Sequence, residues 1–342
     1  MKTIKQIIFT KPCFAEYQVI KQTDFSDIAP NQVVVKTMVS SISAGTERAN
    51  YVGDENVTIV KDLKVGFPRA VGYSSAGEVV KVGSAVTKVK VKDRVACFGS
   101  HHVNYNVLNE DNVVKIESDK ISYEEAAISY ISCFPLAAVR KVRVELGESL
   151  MVMGLGILGQ LAVAFARSAG AYPVIACDPV EERRNEALKN GADYAFNPFD
   201  ADFIEKVKSV SGGGVNTAVE VTGVAVALDQ TLDCMKKFGR VALLGCTRKS
   251  DFSIDFYHKV HGPGITLIGA HTSVRPNKES YPAYFTHEDD IKTLLNLTLG
   301  GRINVKNIIK ATYSPKDCQE VYTRLVNDKN FPICAQFNWE EE

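Results

Sequence analysis

A short apolar run at 149–153 leads into Gly154-Leu-Gly156-Ile-Leu-Gly159, and an amphipathic helix follows, with apolar residues at 158, 161, 162, 165 and 166 along one face. Few arrangements constrain a chain more. Gly154 allows the tight strand-to-helix turn. Gly156 lets a pyrophosphate approach the backbone, and Gly159 lets the helix pack close to the strand. The helix N-terminus then offers free N–H groups and a partial positive charge to phosphates. A glycine triplet alone can be a mere tight turn, but here an acidic residue also arrives on schedule. Asp178 ends the next strand, 19 residues after Gly159. A carboxylate there accepts hydrogen bonds from both ribose hydroxyls and repels a 2′-phosphate, so NAD is the expected cofactor. Arg183 and Arg184 follow closely and leave NADP open.

The same rhythm continues downstream. Strand-like runs at 173–177, 217–221, 240–244 and 265–268 alternate with helical stretches, one of them at 180–190 and closed by Gly191. Alternation at this spacing predicts a parallel doubly wound sheet, an α/β architecture. The first 120 residues read differently. Short alternating runs at 32–38, 76–82 and 93–98 are punctuated by Gly83-Ser84, Lys92-Asp93 and Gly99-Ser100, which predicts a small all-β barrel. Ser122 and Glu125 have the spacing of a capping box. Near the C-terminus, helices are predicted over 289–299 and over 315–327 with Ser314 as N-cap, then a closing strand at 333–337.

Charge and composition narrow the function. Lys+Arg and Asp+Glu each number 40, for a formal net charge of zero, and no basic stripe marks a nucleic-acid face. No apolar run is long enough to span a membrane. The N-terminus lacks the apolar core of about 7–15 residues that a signal peptide needs, so a cytoplasmic protein is expected. The eight cysteines form no CxxC and lie mostly within apolar runs, which suggests buried free thiols and no clustered zinc ligands.

Several further segments complete a pattern: Gly72-Tyr-Ser-Ser-Ala-Gly77-Glu-Val-Val, Asp93-Arg-Val-Ala, Gly191-Ala-Asp193, Glu220-Val-Thr-Gly223 and Gly239-Arg-Val-Ala-Leu-Leu-Gly245. With the glycine motif and Asp178, they make the chain resemble the medium-chain dehydrogenase/reductase superfamily over nearly its whole length. The resemblance implies a GroES-like β-barrel catalytic domain over 1–130 and 272–342, and a Rossmann NAD(P)-binding domain over 131–271. It also implies an active site in the cleft between the domains and a homodimer or homotetramer. The cofactor-binding set it suggests is Gly154, Gly156, Ile157, Leu158, Gly159, Asp178, Arg183, Thr222 and Gly245.

The zinc-dependent members carry a cysteine in the early loop and a Gly-His-Glu motif. Here the early loop reads Ser40-Ser-Ile-Ser43-Ala-Gly-Thr46-Glu47-Arg48, and Tyr73 follows Gly72 where the ligand histidine would stand. Cys133 falls near the third ligand position, but a catalytic zinc needs three protein ligands. No zinc is therefore expected. The chain looks more like a zinc-less branch that includes bi-domain oxidoreductases of surface-polysaccharide and cyclitol metabolism. Bacteriochlorophyllide hydroxyethyl dehydrogenases share its early-loop pattern.

Without a metal, hydrogen-bond donors and a titratable group must stabilise the alkoxide charge that hydride transfer creates. The catalytic candidates are Ser43, Thr46, Glu47, Tyr73 and His102. Tyr73, Glu47 and His102 also have plainer readings: a space-filling tyrosine, an ion-paired glutamate, a histidine that satisfies backbone groups. Arg48, His258 and His261 are candidates for binding substrate hydroxyls. A metal pair at His258 and His261 lacks a third ligand. The leading expectation is a zinc-independent, NAD-dependent oxidoreductase that interconverts a secondary alcohol and a ketone on a sugar, polyol or cyclitol. An NAD(P)H-dependent quinone or enoyl reductase and a non-catalytic NAD-binding sensor are the alternatives.

Overall fold

The structure, a computed structural model, describes residues 1–60, 63, 65–248 and 252–340. The chain divides into two compact units. The first contains Met1–Ile131, Ile291–Gly301 and Val305–Glu342, and the second contains Ser132–Asp290 and Arg302–Asn304.

The first unit opens with β1 (Lys2–Lys11) and β2 (Phe14–Thr23), an antiparallel pair. Then come β3 (Gln32–Ser41), α1 (Ala44–Val52), β4 (Arg69–Ala70), β5 (Ser74–Val82), β6 (Arg94–Phe98), β7 (Tyr105–Asn109), β8 (Val113–Lys115) and α2 (Tyr123–Ala127). β3 pairs with both β5 and β7, so its two edges are satisfied. Its Val33 and Val35 pack with Val79, Val95, Cys97 and Leu108. The predicted capping box forms at α2: Glu125 donates its N–H to Ser122 Oγ (3.3 Å), and Ser122 donates its N–H to Glu125 Oε2 (2.9 Å).

The second unit follows the alternation read from the sequence. After α3 (Ser129–Lys141) come β9 (Leu150–Met153), α4 (Ile157–Ser168), β10 (Val174–Cys177), α5 (Glu181–Lys189), β11 (Tyr194–Phe196), α6 (Phe203–Val210), β12 (Val215–Glu220), α7 (Ala225–Asp233), β13 (Met235–Leu243) and β14 (Thr266–Gly269); α8 (His287–Leu299) begins in this unit and passes into the first at Ile291. Among the described residues the strand order is β11-β10-β9-β12-β13-β14, and every pairing is parallel. The order reverses between β9 and β12. That switch point, at the carboxyl ends of the strands, is where a doubly wound sheet takes its ligand. The central strands β9, β10 and β12 are buried on both faces, which explains their near-continuous apolar runs.

The first unit is completed by β15 (Ala311–Tyr313), α9 (Cys318–Asn327) and β16 (Ala335–Asn338). The helix read at 315–327 begins as a 3-10 turn, Pro315–Asp317, with Ser314 Oγ accepting from Lys316 N–H, and only then becomes α-helical. β16 pairs with β3, so the first sheet runs β15-β16-β3-β5-β6-β8. No helix among the described residues is long and apolar enough to cross a membrane.

The second unit extends past the expected boundary at 271, and a buried ionic cluster is the reason. Asp290, wholly buried, accepts from Arg275 Nη1 (2.9 Å) and Arg140 Nε (3.1 Å). Arg275 also donates to the carbonyls of Cys133 (2.9 Å) and Thr272 (3.0 Å). These bonds tie 272–290 to α3.

Beside this cluster sits His287, whose pKa burial, with help from the charge of Arg275, lowers to about 3. An unfolded chain takes up a proton near pH 6.5, whereas the folded unit refuses it until about pH 3. Stability therefore falls as pH drops through that window. Urea unfolding at pH 7 and pH 4.5 checks this: His287→Gln is expected to reduce the acid loss, and an unchanged loss would refute it.

Candidate active site

The cofactor set from the sequence gathers at the carboxyl edge of the parallel sheet. Gly154 has φ 97°, and a Cβ there would sit 2.7 Å from Thr222 Cγ2. A Cβ at Gly159 would lie 1.9 Å from the Gly154 carbonyl oxygen. Gly156 differs from both, because its Cβ position is open space. It is the N-cap of α4, and no side chain there occupies the helix N–H groups. Ile157 and Leu158 form the first helical positions. This is a cradle that a phosphate fits.

Asp178 is held still. Its Oδ2 accepts from Leu155 N–H (2.8 Å) and its Oδ1 from Val180 N–H (2.8 Å). Each oxygen keeps a second lone pair, which a ribose hydroxyl can use. Arg183 Nη1 lies 3.8 Å from Oδ2. Arg184 donates to the carbonyls of Asp178 (2.8 Å) and Pro179 (2.9 Å).

Glu220 closes its own turn, accepting from the Thr222 and Gly223 N–H groups (2.7 and 3.1 Å) and from the Thr222 hydroxyl. Burial pushes its carboxyl pKa upward. The Thr222 hydroxyl is thus committed to the turn. Gly245 is required by close approach, since a Cβ there would be 2.1 Å from Gly223 N.

In the first unit, Ser43 is the N-cap of α1, yet its side chain makes no capping bond. An N-cap serine ordinarily accepts from the N–H of the second or third helical residue. Here the hydroxyl accepts instead from the Tyr73 hydroxyl. Thr46 lies on the same phenol. Desolvation raises the Tyr73 pKa well above that of an ordinary phenol, so it remains a neutral donor. Its ring meets Tyr130 edge-on at 5.5 Å. Three sequence candidates, Ser43, Thr46 and Tyr73, therefore form one hydroxyl cluster.

Glu47 and His102 lie beneath it, 1% and 0% exposed. Glu47 Oε1 accepts from the Ser43 N–H (2.8 Å), and Oε2 accepts from His102 Nε2 (3.1 Å) and Tyr322 Oη (2.6 Å). His102 Nδ1 meets Ser40 Oγ at 2.7 Å, and Ser40 Oγ accepts from Trp339 Nε1 (2.8 Å). Sequence reading missed Ser40, Tyr322 and Trp339. Nothing local marks Tyr322 as a neighbour of Glu47 or Trp339 as a neighbour of Ser40, because packing of α9 and pairing of β16 with β3 create that proximity.

The substrate-binding candidates are less converged. Arg48 is exposed. His258 Nδ1 pairs with Asp255 (2.8 Å), and His261 meets the Tyr257 ring at 5.6 Å. Both histidines belong to the second unit and Arg48 to the first.

No group of three or more His, Cys, Asp or Glu among the described residues could hold a metal ion. Cys133 is buried, its thiol pKa is pushed well up by desolvation, and its Sγ points to the His287 carbonyl at 3.8 Å.

Comparison with known proteins agrees with the dinucleotide-binding fold. The family described as zinc-binding dehydrogenase matches residues 158–287. An L-threonine 3-dehydrogenase of Thermococcus kodakarensis is 31% identical over 342 residues, 92% of each chain. A D-guloside 3-dehydrogenase of Escherichia coli is 26% identical over 259 residues, 75% of this chain and 73% of the other. The fold matches a short chain alcohol dehydrogenase of Escherichia coli CFT073, solved with NADH, at TM-score 0.80 and 17% identity, covering 99% and 100% of the two chains. The glycine cradle, the parallel sheet and these relatives together make the chain a member of the medium-chain dehydrogenase/reductase family of zinc-binding dehydrogenases, an alcohol-dehydrogenase-like oxidoreductase.

Proposed function

We propose that the protein is a zinc-independent, NAD-dependent oxidoreductase that interconverts a secondary alcohol and a ketone on a sugar, polyol or cyclitol. The observation that carries this reading is the Tyr73–Ser43 hydroxyl pair on an N-cap whose side chain does not cap its helix. Bound nicotinamide supplies hydride acceptance and return. The α4 N-terminus and Gly156 take the pyrophosphate, and Asp178 takes the ribose hydroxyls. Pinned by two backbone N–H groups, Asp178 does not swing aside for a 2′-phosphate.

The second unit thus binds the dinucleotide, and the first handles the alcohol oxygen. Ser43 accepts from Tyr73, which strengthens its own O–H as a donor. That donor stabilises negative charge on the substrate oxygen, with Thr46 beside it. The relatives act on hydroxylated small molecules according to their names, which supports a substrate of that class. A carboxylate at the ribose position favours this reading over the NADPH-preferring reductases. The protein is further proposed to be cytoplasmic and to form a homodimer or homotetramer.

The test is a variant pair assayed with NAD and a panel of polyols, glycosides and cyclitols. Ser43→Ala is expected to lower kcat by roughly 100-fold, as loss of one preorganised donor does. Tyr73→Phe is expected to lower it less. Ser43→Ala removes no capping bond, and Thr46 remains beside the Tyr73 hydroxyl, so the variant should still fold, with a Tm loss limited to that of one hydrogen bond. Wild-type kcat in a folded Ser43→Ala protein would remove the pair from the reaction.

A further inference from the structure

The buried chain beneath the hydroxyl cluster has a direction. Trp339 Nε1–H can only donate, and Ser40 Oγ receives it. At the other end Glu47 is a carboxylate that can only accept while ionised. The arrangement satisfied throughout has Ser40 O–H donating to His102 Nδ1 and His102 Nε2–H donating to Glu47 Oε2. Tyr322 O–H donates to the same oxygen, and burial beside Glu47 holds that phenol protonated. Glu47 Oε1 then takes the Ser43 N–H. Every bond points toward Glu47, which lies in the first turn of α1 one turn from Ser43.

We infer that Tyr322 and His102 are positioning residues: they aim the Glu47 carboxylate at the Ser43 backbone, and so fix the hydroxyl that receives Tyr73. Tyr322 lies on α9 and Trp339 just beyond β16, so the C-terminal segment becomes part of the scaffold of the reacting group. The inference rests on the reading of Ser43 and Tyr73 given above. It assigns Glu47 and His102 the work of orientation, because their hydrogen-bonding atoms are turned inward and committed to one another.

Two measurements test it, one without substrate. In the wild-type protein, nitrogen-15 NMR of His102 should show the neutral Nε2–H tautomer, and Tyr322→Phe should speed exchange of the Ser43 amide hydrogen by at least about tenfold. A His102 protonated at Nδ1 alone, or an unchanged Ser43 amide, overturns the inference. The second measurement is the kinetic split with NAD and the best-used member of the polyol, glycoside and cyclitol panel. Tyr322→Phe is expected to lower kcat at least about tenfold, with KM within about twofold, because a small misplacement of a reacting group is costly in rate. Trp339→Phe, at the far end of the chain, should lower kcat less than Tyr322→Phe even where it lowers Tm more. If kcat instead tracks Tm across the variants, the residues are merely structural and the inference is wrong. If Ser43→Ala loses activity while folded Tyr322→Phe keeps it, the inference fails alone. If Ser43→Ala keeps wild-type activity, the reading of the hydroxyl pair fails and takes the inference with it.

Discussion

Gly159→Ala is expected to abolish measurable NADH binding and to destabilise the second unit by about 3 kcal/mol, the upper range for overpacking a core. The added Cβ would lie 1.9 Å from the Gly154 carbonyl oxygen, and that atom belongs to backbone. No side-chain rotation relieves such a clash. Either α4 moves away from β9 or the Gly154 turn opens, and both displace the cradle from the switch point. A neighbouring substitution gives the contrast. At Gly156 the Cβ position is empty, so Gly156→Ala should fold normally and weaken only the dinucleotide, whose pyrophosphate needs that space. Thermal unfolding and NADH fluorescence titration separate the two. A Gly159→Ala protein with wild-type Tm and wild-type NADH affinity would contradict this account of the turn.

Asp178→Ser should shift the ratio of kcat/KM for NAD over NADP by at least about 100-fold toward NADP. A hydrogen bond to a charged group contributes about 1.5–3 kcal/mol, 1.4 kcal/mol is tenfold, and two ribose bonds are lost together. Repulsion of a 2′-phosphate disappears as well, with Arg183 already 3.8 Å from the carboxylate and free to meet the phosphate once that charge is gone. The substitution also removes an acceptor from Leu155 N–H, which loosens the glycine turn for both cofactors. The ratio cancels that common loss. Paired kinetics with NAD and NADP measure it, and an unchanged ratio would show that Asp178 serves only the turn.

The second unit was legible because its order is local. Glycine spacing, apolar runs and the acidic strand end all lie within short stretches of chain, and β9, β10, β12 and β14 fall where the runs predict them. β11 and α6 give weaker signals: Tyr194–Phe196 is only three residues long, and α6 lies between two polar turns. β13 begins at Met235, ahead of the run at 240–244, because Met235 pairs with Val215 across a register shift.

The first unit hid more. The stretch around Ser43, Thr46 and Glu47 reads as a loop of an all-β half, so neither α1 nor the place of Ser43 at its non-capping N-cap was visible. The partners of Glu47 come from 55 and 275 residues away in the chain. No periodicity encodes contacts of that range. The extension of the second unit to Asp290 was hidden likewise, because Arg275 and Arg140 flank their shared carboxylate from distant segments.

On the proposed reading, a hydroxyl pair does the work for which the matching family is named zinc-binding. Metal analysis and turnover on one purified sample test it most directly. Zinc per chain would be measured before and after exhaustive chelation, and alcohol oxidation followed through the absorbance of reduced nicotinamide. The account predicts sub-stoichiometric zinc and NAD-selective turnover that chelation leaves intact. One tightly held zinc per chain, with turnover that disappears on chelation and returns with added zinc, would contradict it.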